Sequence, residues 1–86
     1  LVMKQNLTWE ACRDRVAGFL GMEPSQISRT THLFNELCID SLGIFSMGMH
    51  LIEGFGVQVP LSEVSSIATV GDLYDAMDRH RAAVAP

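Results

Sequence analysis

The first quarter of the chain contains one clear stretch of helical periodicity. Its apolar residues recur three or four positions apart and are Trp9, Cys12, Val16, Phe19 and Leu20. Asn6 or Thr8 can serve as the N-cap, and Gly21 followed by Pro24 signals the end. The pattern predicts a first helix between these two signals.

The segment from residue 21 to 40 shows no sustained periodicity. Most of its residues are polar or small, although Leu33, Phe34 and Leu37 can form one helical turn. So long a connection is unusual in a domain of 86 residues and is more often functional than not. We therefore expect a long first loop with a functional role.

A second helix is predicted from about Ser41 to Phe55, where Gly54 and Gly56 close it. The VQV stretch that follows is too short for a sheet.

Two more helices follow, one short and one long. Ser62 can cap a brief helix that carries Val64 and Ile67, and Thr69 with Asp72 has the spacing of a capping box for the last helix. The sequence thus predicts an all-α four-helix bundle, with three long helices, one short helix and a long first loop. It is expected to form one domain over residues 1–86, with frayed tails at 1–5 and 82–86.

The second helix is apolar on two faces. One stripe consists of Ile44, Met47, Leu51 and Phe55, and the other of Phe45, Met49 and Ile52. Three other short helices can hardly bury both stripes, so the second is expected to face solvent as a docking surface. The alternative is that Phe45 or Met49 lies under the long loop as ordinary core.

Composition narrows the class of protein. No apolar run is long enough to span a membrane, and the first residues lack the order of a secretory signal. Cys12 and Cys38 are too few for a disulfide framework and form no CxxC metal motif. We expect a soluble, cytoplasmic monomer without a metal ion.

The formal net charge is −4, and the basic residues are unevenly placed. Between Thr30 and Asp78 there is no Lys or Arg, whereas the acids there are Glu36, Asp40, Glu53, Glu63, Asp72, Asp75 and Asp78. A nucleic-acid binder would carry cations on its working face, so the pattern favours partners with basic docking surfaces. The alternative is an acidic surface of the kind that any soluble protein has.

The junction between the long loop and the second helix is the candidate chemical site. Asp40 is placed as an N-cap, which puts the Ser41 hydroxyl in the first turn and in solvent. A phosphodiester on that hydroxyl would face the positive end of the helix. Asp-Ser before a helix is usually a cap alone, so the residues by themselves indicate only a tolerable phosphate site.

No catalytic set is predicted. A nucleophile pair of Cys38 with His32 or His50 is conceivable, but no third group is placed to orient it. The chain is therefore not expected to be an enzyme.

A stretch from Leu33 to Met77, LFNELCIDSLGIFSMGMHLIEGFGVQVPLSEVSSIATVGDLYDAM, resembles the second half of an acyl carrier protein. In that family the loop before the second helix ends in L-x-x-D-S-L, and the second helix ends in an E-x-F-G or E-x-G-F-like motif. An I-x-I-P-like segment follows, and the last helix begins with a T-V-x-D-L-like segment. The residues at those places are Leu37, Asp40, Ser41, Leu42, Glu53, Phe55, Pro60, Ile67, Thr69, Val70 and Leu73. The likeness spans nearly all of residues 9 to 80, and the order and spacing of its parts are specific.

This resemblance implies that Ser41 receives 4′-phosphopantetheine from coenzyme A through a phosphopantetheinyl transferase, with Asp40 helping to orient the modification. The terminal thiol would carry acyl groups to acyltransferases, ketosynthases or other acyl-processing enzymes. The tether would raise the effective concentration of the acyl group at each of these enzymes. Leu42, Phe45 and Met49 would make apolar contacts with these partners. Glu36, Asp40 and Glu53 would pair with basic residues.

Some residues depart from the family pattern. Cys38 stands where the loop usually has Gly, so a strained turn is expected, with burial as the usual fate of such a thiol. Ser46 and His50 stand where carriers of fatty-acid synthesis often have acidic or small residues. This favours polyketide or other specialised biosynthesis. The alternatives are a fatty-acid synthase carrier, a peptidyl or aminoacyl carrier of a nonribosomal pathway, and an unmodified helical interaction module.

Gly48 lies on the core-facing side of the second helix, where a missing side chain leaves space. An acyl chain could enter that space. The residues expected to line it are Ile44, Met47, Gly48, Leu51, Ile67 and Leu73. Alternatively, Gly48 only lets another helix approach closely.

Overall fold

A computed structural model describes residues 4–81 of the protein. Its α-helices are α1 (Trp9–Leu20), α2 (Ser41–Phe55), α3 (Leu61–Val64) and α4 (Val70–His80). These residues contain no β-strand beyond an isolated bridge between His32 and Thr69. The predicted all-α bundle of three long helices and one short helix is confirmed, and a 3₁₀ turn at Pro24–Gln26 was not predicted.

The ends of α1 and α2 follow from local caps. The hydroxyl of Thr8, not the side chain of Asn6, accepts the Ala11 N–H at 3.1 Å. Gly21 and Gly56 end the two helices at φ values of 69° and 73°, where a Cβ atom would be strained. Gly54 does not close α2, because it lies inside the helix and is buried against Arg15.

The prediction for the third helix is only partly right. It begins at Leu61 after Pro60, so Ser62 is not its N-cap, and Ile67 follows the helix instead of belonging to it. Pro60 is the N-cap residue, and no side chain caps the start of α3.

The capping box of α4 is confirmed. Thr69 Oγ1 accepts the Asp72 N–H at 3.0 Å, and Asp72 Oδ2 accepts the N–H groups of Thr69 and Ala68 at 3.1 Å each. These bonds hold the pKa of Asp72 below its ordinary value, with the Ala68 N–H as the largest cause and the Thr69 N–H next.

The long loop is held against the start of α4 by backbone hydrogen bonds. Val70 N–H donates to Thr31 O at 3.0 Å, and Gly71 N–H donates to Arg29 O at 2.9 Å. Leu33 N–H donates to Ala68 O at 2.8 Å. The loop thereby satisfies two donors at the first turn of α4 that have no partner within the helix.

One hydrophobic core unites α1, α2 and α4. Its buried members are Leu7, Cys12, Val16, Ala17, Ile27, Leu33, Ile39, Met47, Leu51, Phe55, Val57, Ile67, Val70, Leu73, Ala76 and Met77. Every α-helix except α3 contributes residues to it, so α3 is the least anchored helix.

The predicted frayed tails lie mostly outside the described residues, which exclude 1–3 and 82–86. Lys4 and Gln5 are tied to the end of α2, through Lys4 Nζ to Glu53 O at 3.1 Å and Gln5 N–H to Gly54 O at 2.7 Å. None of the helices within residues 4–81 combines the length and apolar character needed to cross a membrane.

We expect Asp72→Asn to weaken the acid sensitivity of the fold. The Asp72 pKa is lower in the folded state, so its contribution is present above the unfolded value, about 3.9, and is lost as pH falls through the folded value. Chemical denaturation at neutral pH and at about pH 3 should show that the free energy of unfolding falls less in the variant than in the parent. Asp14→Asn, on the exposed face of α1, is the control, and an equal loss in all three proteins would contradict this role for Asp72.

Candidate functional site

Ser41 is the first residue of α2, and its side chain is exposed. The residue before it, Asp40, is the N-cap, and Asp40 Oδ1 accepts the Gly43 N–H at 2.6 Å. The helix start therefore presents the Ser41 hydroxyl to solvent beside unpaired backbone N–H groups. Both sequence predictions about this junction, the cap and the exposed serine, are confirmed.

The position of Ser41 is fixed by the residue before its cap. Ile39 is buried, and its N–H donates to Leu33 O at 3.1 Å. A Cβ atom on Gly43 would lie 2.9 Å from Ile39 Cγ2, so only glycine lets the first turn of α2 pack this closely. The loop thus positions the start of the helix from the core side.

Cys38 differs from expectation in one respect. Its backbone is left-handed at φ 56°, as the glycine usual at this place would allow, and this strained geometry fits the predicted turn. The expected burial is wrong, because the left-handed turn carries the side chain to the surface. The other cysteine, Cys12, is buried, and desolvation raises its pKa to about 12, so it stays a thiol at neutral pH.

An apolar cavity of about 460 Å³ opens beside Ser41. Its lining includes all six residues predicted for the acyl space, namely Ile44, Met47, Gly48, Leu51, Ile67 and Leu73, together with Ser41 itself. The structure therefore brings the candidate attachment residue and the predicted apolar space together.

The sequence analysis missed part of this lining. The additional residues are Phe34 from the long loop, Phe45, Met49 and Ile52 from α2, Met77 from α4, and Val57, Val59, Leu61, Val64 and Ser65 from the segment around α3. The apolar letters of VQVPLSEV were the available signal, but their spacing does not indicate which residues turn toward α2.

Gly48 does not serve as a close contact between helices. A Cβ atom placed on it would have no neighbouring heavy atom within 4 Å, although the residue lines the cavity. The alternative interpretation of Gly48 is therefore wrong, and its missing side chain leaves open space.

The two faces of α2 separate as predicted. Met47 and Leu51 are almost wholly buried, whereas Leu42, Phe45 and Met49 are 75%, 63% and 48% exposed. Phe45 and Met49 are not covered by the loop, so their alternative assignment to the core is wrong. Both also line the cavity, which joins the exposed stripe to the apolar space.

Charged side chains lie near both ends of α2. Asp40 stands at the start, and Glu53 follows Ser41 by twelve residues, about 18 Å along the helix. Lys4 Nζ donates to Glu53 O and Arg15 Nε donates to His50 O, so cations gather at the C-terminal end.

Glu36 lies on the long loop rather than on α2. Its side chain is exposed, and Oε1 accepts the His32 N–H at 2.9 Å, which closes the turn that follows. The structure thus separates the three predicted docking acids, with Glu36 on the loop, Asp40 at one end of α2 and Glu53 at the other.

The conceivable cysteine and histidine site is not assembled. His32 Nδ1 accepts the N–H groups of Phe34 and Asn35, and the His50 ring packs on Phe19 with ring centroids 5.6 Å apart. Within residues 4–81, no three His, Cys, Asp or Glu side chains form a group that could hold a metal ion.

Comparison with known proteins agrees with this geometry. Residues 11–77 match the family described as "Phosphopantetheine attachment site". An acyl carrier protein of Zymomonas mobilis is 35% identical over 75 residues, covering 87% of this chain and 96% of that protein. One from Syntrophobacter fumaroxidans is 33% identical over 70 residues, covering 81% of this chain and 86% of that protein.

A third relative, the acyl carrier protein of Clostridium acetobutylicum, is 28% identical over 74 residues, covering 86% of this chain and 96% of that protein. Proteins of this kind are carriers with a covalently attached phosphopantetheine group and are not catalysts. The matched segment contains the whole of α2, α3 and the long loop. The chain belongs to the acyl carrier protein family.

Proposed function

We propose that Ser41 carries the 4′-phosphopantetheine arm and that the chain presents acyl or polyketide intermediates to the enzymes of a polyketide or other specialised pathway. The observation that carries this proposal is the exposed Ser41 at the first residue of α2, directly after the Asp40 cap and at the rim of the apolar cavity. When bound, the group supplies a flexible arm whose terminal thiol holds acyl chains as thioesters.

The residues around Ser41 fit a phosphodiester. The first turn of α2 presents backbone N–H groups, which favour an anion. The Asp40 carboxylate accepts the Gly43 N–H, which keeps the turn in place and leaves the serine hydroxyl outside it. Asp40 thus positions Ser41 for the transferase through the backbone.

Docking is proposed to use the exposed face of α2. Leu42, Phe45 and Met49 offer apolar area near Ser41, and contacts of this kind are enriched at the centre of interfaces. The acids Glu36, Asp40 and Glu53 are all exposed, on the long loop and at the two ends of α2, so they are available to basic residues of a partner.

The assignment to specialised biosynthesis rests on the composition of α2. Glu53 is its only acid, and its solvent-facing positions include Ser46, Phe45 and Met49. A partner that fits this face needs apolar contacts more than a row of cations.

Ser41→Ala should abolish modification without unfolding the protein. Incubation with coenzyme A and a broad-specificity phosphopantetheinyl transferase should raise the mass of the parent chain by one phosphopantetheine and leave that of the variant unchanged. Ser46→Ala is the matched control, because Ser46 is also exposed on α2, and it should be modified like the parent. A mass gain in Ser41→Ala would refute the assignment, and no gain in the parent would indicate an unmodified module.

Met49→Glu should slow modification or acyl loading while changing the free energy of unfolding little. Met49 is half exposed, so a charge there stays solvated, but it disrupts apolar contact with a partner. Initial rates and chemical denaturation measure the two effects.

Two companion variants sharpen this test. Met47→Ala, at a fully buried site on the other face, should cost about 2–5 kcal/mol of stability, and an equal cost from Met49→Glu would show that Met49 belongs to the core. Ser46→Glu adds an acid beside Phe45. It should raise loading by a malonyl transferase of fatty-acid synthesis if the scarcity of acids on α2 is what disfavours such enzymes.

A medium-length acyl chain on the arm should occupy the cavity. Backbone amide shifts should then change at Gly48, Ile67 and Leu73 relative to the protein that carries the free thiol. Gly48→Leu should remove these changes by filling the space, whereas Gly18→Leu, at an open glycine of α1, should preserve them. Changes confined to the surface around Ser41 would show that the cargo remains in solvent.

A further inference from the structure

The segment 58–66, which contains α3, is suspended between two buried residues. Val57 and Ile67 are 5% and 7% exposed, whereas no residue of α3 is buried, and Leu61 is 80% exposed. Hydrophobic contacts thus hold the two ends of the segment in place, whereas its middle makes few of them. Few buried contacts are typical of an element that opens locally.

The hydrogen bonds of this segment are local with one exception. The N–H groups of Glu63, Ser66 and Ile67 donate to carbonyls three residues earlier. Within residues 4–81, the bonds that tie the segment to another element are those of the Glu63 carboxylate.

The Glu63 carboxylate contacts two side chains of the last turn of α4, the Arg79 guanidinium and the His80 ring. Arg79 donates to Glu63 Oε1 at 2.8 Å, and His80 Nε2 pairs with Oε2. The bond from Arg79, and then that from His80, holds the pKa of Glu63 below its ordinary value. The carboxylate therefore remains charged at neutral pH and bridges α3 to α4.

The same segment forms one wall of the apolar cavity. Leu61, Val64 and Ser65 line it from this side, and Met47 and Gly48 line it from α2. Movement of α3 away from α4 would therefore enlarge the space beside Ser41.

We propose that Glu63 is a specificity-determining residue for cargo, because its pairing with Arg79 and His80 latches α3 and limits how long an acyl chain the cavity admits. This inference rests on the proposed function of Ser41 and the cavity. Each pair contributes little by itself, because the side chains remain partly exposed to water. The free energy needed to move α3 is also small, because α3 has only four residues and no buried side chain to expose. Even a weak pairing of Glu63 can therefore decide whether α3 moves.

The test combines hydrogen exchange with acyl loading. In Glu63→Gln, the amides of Ser66 and Ile67 should exchange about two- to fivefold faster than in the parent chain before any modification. After modification, a dodecanoyl chain should shift the amides of Met47, Ile67 and Leu73 more in the variant than in the parent. A butyryl chain should shift them equally in both.

Asp75→Asn is the matched control. It breaks a comparable ion pair on α4, in which Arg29 donates to both Asp75 carboxylate oxygens at 2.8 and 2.7 Å, and it should leave the Ser66 and Ile67 amides unchanged. Arg79→Gln removes one cation and retains the Glu63 carboxylate. It should accelerate exchange at the same amides and so provides a second variant in case Glu63→Gln folds poorly.

Three results would overturn the latch. The first is amide exchange at Ser66 and Ile67 that is unchanged in both variants. The second is faster exchange together with dodecanoyl-induced amide shifts that are identical in variant and parent. The third is the absence of amide shifts at the cavity residues in either protein. The mass gain of each sample is recorded first, so failure of the latch is distinguishable from failure of Ser41 as the attachment site.

Discussion

The structure depends on the backbone pairing between the long loop and the start of α4. Two carbonyls of the loop, Arg29 O and Thr31 O, accept N–H groups from the first turn of that helix, and Leu33 returns a bond to Ala68 O. This pairing replaces partners that a helix start otherwise lacks. A Cβ atom on Gly71 would lie 2.6 Å from Arg29 O, so the approach requires glycine. The loop is thereby a fixed part of the fold, in spite of its polar composition.

From this pairing the position of Ser41 follows in a few steps. Leu33 is buried and accepts the Ile39 N–H, and Ile39 packs against the first turn of α2. Asp40 then caps the helix, which leaves Ser41 at the surface. A rigid support of this kind suits the role proposed for Ser41, which partner enzymes would have to find in the same orientation.

The opposite requirement applies to the wall of the cavity. The proposed role of the cavity in holding acyl chains of different length would require it to change its volume, and a well-packed core resists such a change. The structure concentrates the adaptable part in α3, which has no buried residue, while Met47, Leu51 and Ile67 keep the rest of the lining in place. Rigid presentation at Ser41 and a weakly held wall thus coexist within one small domain.

Local sequence determined much of this protein. The caps at Asp40 and Thr69 and the end of α1 at Gly21 act within one helical turn, so spacing alone predicts them, whereas it left Thr8 open against Asn6 and Gly56 open against Gly54. The apolar period of α2 likewise predicts both its buried and its exposed stripe. The exposed serine after its cap belongs to the same class of inference.

Tertiary structure decided the rest. Three features depend on residues from other elements. They are the exposure of the Cys38 side chain, the open space at Gly48 and the partners of Glu63. The bonds that place the long loop join residues far apart in sequence, such as Thr31 and Val70. Hydrophobic periodicity indicates that a face is buried but not which element covers it. The placement of the loop, the cavity and the ion pairs of Glu63 therefore arise only when the helices have packed and their distant polar groups have met.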